Sequence, residues 1–186
     1  MFTQGTMQYD EESGYRAQDL DKFLKDVALL ENALLKTPDH PRTLFYLAQS
    51  YLHAKKFPLA LKYYEKRVRL KGDPQEVFWS YYCIGCLQED LGLSSEKIIA
   101  SHSKAFQCNP MQAEPLYRLA LYLQKNPFFS YLLTKYASEI PFPKSAVRLQ
   151  SWIYDDLAKK CAEHSFLSGR FAKFEKAHEP ISSHFP

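Results

Sequence analysis

Glycine is scarce in this sequence, six residues in 186, and a fold rich in tight turns between strands would need more of it. No apolar stretch approaches the roughly 20 residues that carry a helix across a bilayer. The opening segment, MFTQGTMQYDEESGYRAQ, has neither a basic head nor an apolar core, so no secretory signal is expected. Four cysteines without a secretory context read as reduced thiols and point to a cytoplasmic protein. Neither sign of charge dominates. A net charge of +3 is too small to imply nucleic acid as a partner. Alternation with a period of two is nowhere long enough to require a strand.

Large side chains are abundant instead. Aromatics make up 15% of the chain, with 13 Tyr and 13 Phe, and apolar residues 46% against 24% charged. That balance suits one domain with a real core. From residue 19 the apolar positions take helical spacing: Phe23, Val27, Leu30 and Leu34 form one stripe. Thr37-Pro38-Asp39-His40-Pro41 ends it, because proline lacks an amide proton and disfavours helix in the residue before it. TLFYLAQSYLHAKKFPLALKYYEK, residues 43–66, reads as two helices broken at Lys55-Lys56. Asp73-Pro74-Gln75-Glu76 resembles a capping box and starts another. Further pairs are expected at 75–91 with 95–107 and at 113–125 with 128–139, then a weaker one at 146–167 with 170–178. The expected organisation is a loose segment over 1–18, a helical domain over 19–178 and a flexible tail over 179–186.

Small residues recur inside the aromatic runs. Ala48, Gly85 and Ala120 each sit in the first helix of a pair, with steps of 37 and then 35 residues between positions 48, 85 and 120. Where packed helices approach closest a large side chain is excluded, so a regular step of this size marks a helical repeat array. The pattern resembles the tetratricopeptide repeat. Leu44, Leu47, Ala48, Tyr51, Ala60 and Tyr64 take the signature places in the first full repeat, with Arg67 where a later alanine is usual. Tyr81, Ile84, Gly85, Gly92, Ala105 and Pro110 serve in the second, where Gln88 departs from the tyrosine. Leu116, Leu119, Ala120, Leu123 and Ala137 serve in the third; Ala162, Gly169 and Phe171 suggest a fourth. Ala33 and Pro38 fit an incomplete repeat at the start. The resemblance implies an all-α fold, a right-handed α-α superhelix (solenoid) of about three to four helix pairs. Segments such as FYLAQSY, KAFQCNPMQAEPLYRLA and LTKYASEIPFP look more narrowly like the repeat region attached to family 2 glycosyltransferases, over about residues 19–178. Too few residues precede the first helix for the sugar-nucleotide domain of that family, so relationship rather than transferase activity is implied.

Several constellations invite chemistry. Asp19-Leu20-Asp21 has the spacing that holds a divalent cation against a nucleotide diphosphate, yet acids also favour a helix start through the macrodipole, and that reading is preferred. Cys83, Cys86, Cys161 and His164 offer four ligands that zinc accepts, but the long gap from 86 to 161 favours buried cysteines acting as small hydrophobes. The basic run Lys55, Lys56, Lys62, Lys66, Arg67, Arg69 and Lys71 reads as a solvated outer face. No catalytic set, metal or cofactor is therefore expected.

The first helices of stacked pairs line a concave side where partner segments dock. Arg42, Phe45, Gln49, His53, Trp79, Tyr82, Cys86, Glu89, Tyr117, Leu121 and Lys125 occupy that side by repeat position. Tyrosine and tryptophan there suit anchoring; an equally open reading places several of them in the core between repeats. The lysine, asparagine and arginine clamp by which some repeats hold a C-terminal carboxylate is not reproduced. The sequence thus points to a non-enzymatic protein- or peptide-binding scaffold. The alternative is an accessory or detached repeat region that meets a glycosyltransferase catalytic chain.

Overall fold

The computed structural model describes residues 20–142 and 152–160, and all regular structure among them is helical. The elements are α1 (Leu20–Lys36), α2 (Pro41–His53), α3 (Phe57–Arg67), α4 (Pro74–Asp90), α5 (Ser95–Cys108), α6 (Glu114–Tyr122), α7 (Pro127–Glu139) and α8 (152–160). Each of α1 to α6 packs on the next in chain order, and α2 also touches α4 and α4 touches α6. Among the described residues no helix is long and apolar enough to cross a membrane.

The helix starts follow from local chemistry. Proline stands in the first turn of α2, α3, α4, α6 and α7, where its missing N–H costs nothing. Asp73 Oδ1 accepts from the amides of Gln75 and Glu76 at 2.7 and 3.2 Å, as the sequence predicts. His40 Nδ1 and Asn126 Oδ1 serve α2 and α7 likewise, accepting from Thr43 and Phe129 amides. The α2 and α4 ends match each other. Lys56 and Lys55 amides donate back to Tyr51 and Leu52 carbonyls, and Leu93 and Gly92 amides to Gln88 and Glu89. Both turns need one left-handed residue, which is Lys55 (φ 56°) in the first and Gly92 (φ 64°) in the second.

Helix α6 is shorter than its periodicity suggests. It ends at Tyr122, and Leu123-Gln124-Lys125 forms a turn closed by the Asn126 amide donating to the Leu123 carbonyl at 2.8 Å. Capping α7 with Asn126 takes those residues out of the helix.

Ala48, Gly85 and Ala120 are all buried, as are Ala60, Ala105 and Ala137 on the second helices. A core around Leu47, Tyr51, Tyr64, Phe78, Tyr82 and Leu87 joins α1 to α5. A second, around Leu116, Tyr117, Ile153 and Leu157, joins α6 to α8. Arg67 corrects the expectation that the basic run is entirely a solvated face. Its side chain is fully buried, with Nη1 donating to the Leu70 carbonyl at 3.2 Å and Nη2 facing Glu76 Oε2 at 3.2 Å. The other basic residues of the run are exposed. Arg67 therefore ties the α3–α4 turn to the start of α4.

Candidate functional site

Three of the aromatics expected to line an open groove are buried. Phe45 on α2 packs edge-on to Tyr64 of α3, ring centroids 6.2 Å apart. Tyr82 on α4 meets His102 of α5 in the same edge-on manner at 5.9 Å. Tyr117 on α6 is covered by α8: Trp152 stands edge-on at 5.6 Å, and the Tyr117 hydroxyl donates to Asp156 Oδ2 at 2.6 Å. Burial in the packed stack leaves these three no free face for a ligand. They belong to the packed core rather than to an exposed anchoring surface, and buried Cys86 joins them.

Other expected residues do reach solvent. Arg42 lies over the exposed Tyr46 ring at 5.7 Å. His53 is exposed and stacks on Phe23 of α1 at 4.7 Å. Gln49 and Trp79 are half-buried, and Trp79 leans on Tyr82 at 5.4 Å. Leu121 is half-buried near the end of α6. Lys125 is exposed but belongs to the turn after α6, not to its face. Arg42, Tyr46, Gln49 and His53 follow each other at helical spacing along one side of α2.

The structure also assembles a polar cluster that the sequence does not announce. Glu89 on α4 accepts at both carboxylate oxygens: His102 Nε2 on α5 is 2.7 Å from Oε1, and Arg118 Nη2 on α6 is 2.7 Å from Oε2. An ionised carboxylate only accepts, so the imidazole donates Nε2–H. The Cys86 thiol completes the group, within 4.8 Å of the Glu89 and His102 ligand atoms. Burial pushes the Cys86 thiol up to about 12. Burial also holds His102 below its ordinary value, outweighing the pull of Glu89. At neutral pH the cluster therefore contains a thiol and a neutral imidazole beside the Glu89–Arg118 ion pair.

Gly85 makes room for this arrangement. A Cβ there would stand 2.6 Å from the His102 ring. The glycine is small for the sake of an imidazole as much as for helix approach. A signal in sequence existed: His102 follows Ile98 by four residues, as Tyr64 follows Ala60, so it takes the aromatic place of the second pair.

Of the other motifs, Cys83 is buried in the first core and Cys108 is exposed. Cys161 and His164 lie outside the described residues, as does Asp19; Asp21 sits exposed in the first turn of α1. Two hollows of about 410 and 380 Å³ flank α3 and α7. The first is lined by Leu34, Leu35, Tyr63 and Lys66 among others, the second by Phe106, Leu116, Leu133 and Tyr136 among others. Comparison with protein-family models and with curated proteins finds no match for the sequence.

Proposed function

We propose that this chain is a non-enzymatic scaffold that binds a protein or peptide segment. In this reading its helices stack as a right-handed superhelix of three to four tetratricopeptide-like pairs, with α2, α4 and α6 on the concave side. The observation that carries it is a repeated registry. Phe45, Ala48 and Tyr64 of one pair correspond to Tyr82, Gly85 and His102 of the next, each aromatic closing edge-on against the second helix of its own pair. First helices also touch first helices across one intervening element. Such registry favours a stack that buries a continuous floor and leaves a ridge of outward groups.

The ligand would meet that ridge: Arg42, Tyr46, Gln49 and His53 on α2, and Trp79 on α4. Trp79 rests on Tyr82 and Arg42 on Tyr46, so little side-chain freedom is lost when a partner lands. Peptides selected from a random display library should bind wild type and lose about tenfold or more in affinity with Trp79→Ala or Arg42→Ala, a loss of the size common for aromatic and arginine anchors. Phe129→Ala, at an exposed position on α7, should bind normally. Binding indifferent to Trp79 and Arg42 would end this reading. The FYLAQSY and AEPLYRLA segments favour a family 2 glycosyltransferase catalytic chain as an alternative occupant, which a direct binding titration with such a chain would test.

A further inference from the structure

The second helix pair differs from the first at three facing places. Where the first pair has Gln49, Leu52 and Tyr64, the second has Cys86, Glu89 and His102. Two of these face each other from α4 and α5 across the gap that Gly85 leaves open, and the third lies one turn before Glu89 on α4. We propose that Cys86, Glu89 and His102 form a binding site for a zinc-class divalent metal ion, independent of any partner held on the ridge.

The donor set suits that class. Thiolate, imidazole and carboxylate are the three ligand types that zinc accepts, at about 2.0–2.3 Å each. Their ligand atoms already lie within 4.8 Å of one another. Seating an ion between the His102 ring and Glu89 Oε1 requires the present 2.7 Å separation to open by roughly half an ångström. His102 Nδ1 has no hydrogen-bond partner among the described residues, so the ring is satisfied on one side alone. Arg118 holds Glu89 Oε2 and leaves Oε1 to the ion, the outer hydrogen bond that a ligating carboxylate commonly has. The Glu89 side chain is 14% exposed, so the carboxylate is the edge of the cluster nearest to solvent.

Proton balance follows from these states. Cys86 is a thiol before binding and a thiolate after it, so its proton is released. The His102 proton passes to the other ring nitrogen if Nε2 ligates, with no net change. One proton leaves per ion, so binding should tighten as pH rises.

The test uses the full chain, reduced and stripped with chelator. Zn²⁺ is titrated by calorimetry in buffers of different ionisation enthalpy, and Co²⁺ is titrated by absorption. Expected are one equivalent bound, one proton released and a thiolate-to-cobalt charge-transfer band. Affinity should fall on the order of 100-fold or more in Cys86→Ala and in His102→Gln, since each removes a direct ligand. Cys108→Ser, which removes the exposed thiol, should leave it unchanged. The wild-type cobalt band needs no variant to fold. Absence of zinc binding, a cobalt spectrum without the thiolate band, or affinity that survives Cys86→Ala would overturn the proposal.

Discussion

Gly85→Ala gives the sharpest test of how the second helix pair is held together. In an exposed helix interior the change would stabilise by about 1 kcal/mol. Here the new methyl would stand 2.6 Å from Cε1 and Nε2 of His102 and 2.8 Å from Nδ1. The ring cannot simply step back. Glu89 holds Nε2, Arg118 holds Glu89, and Tyr82 abuts the ring at 5.9 Å. Overpacking of this kind costs about 1–3 kcal/mol. Straining a hydrogen bond to a carboxylate adds about 1.5–3 kcal/mol. Set against the propensity gain, Gly85→Ala should destabilise by about 1.5–5 kcal/mol. His102→Ala alone should cost about 2–4 kcal/mol through its cavity and the lost bond. With the ring gone the three nearest atoms to the methyl are removed, so Gly85→Ala in that background should be neutral or stabilising by up to about 1 kcal/mol. Urea denaturation followed by far-ultraviolet circular dichroism would read the four corners at pH 8, with the m-value checked for constancy. Additivity within about 0.5 kcal/mol would show that the ring does not set the glycine, and the reasoning would fail.

Three more outcomes follow from the same structure. Folded His102 titrates below its usual 6.5, so between the two values the unfolded chain holds a proton that the folded chain lacks. Stability should therefore fall as pH drops through about 6.5, and His102→Gln should flatten that slope in denaturation curves. A wild-type slope equal to that of the variant would count against it. Lys55→Gly should stabilise by about 1 kcal/mol, because Lys55 carries the left-handed turn that Gly92 carries in the next pair; no gain in melting temperature would contradict this. Arg67→Ala should cost about 2–4 kcal/mol by leaving Glu76 unpaired beside a void, and Arg67→Met with Glu76→Gln should recover much of it. Equal loss in both proteins would place the cost in packing alone.

Most of the helix layout was legible because its causes are local. Proline in first turns, Asp73 as a cap and the stripe from Phe23 to Leu34 each act within one or two turns of chain. Ala48, Gly85 and Ala120 are buried where a close approach was expected. Tertiary events were harder to read. Tyr117 looked like a groove anchor, because nothing in its own helix reveals that α8 will cover it. Phe45 and Tyr82 are closed off similarly, by residues of α3 and α5 that face them only in the folded chain. Lys125 misled for the opposite reason: periodicity carried α6 past Tyr122, while Asn126 claimed the following residues for its cap. The cluster at Cys86, Glu89, His102 and Arg118 draws on three helices, so no single spacing marks it. Arg67 read as one more surface cation until Glu76 and the Leu70 carbonyl were found around it.

The scaffold account is tested most directly by mapping where a selected peptide lands, using backbone and side-chain chemical shifts of the labelled chain. The account predicts perturbations centred on Arg42, Gln49, His53 and the Trp79 indole, along α2 and α4. Perturbations centred instead on Leu59, Ile99 and Phe129, which are exposed on α3, α5 and α7, would contradict it.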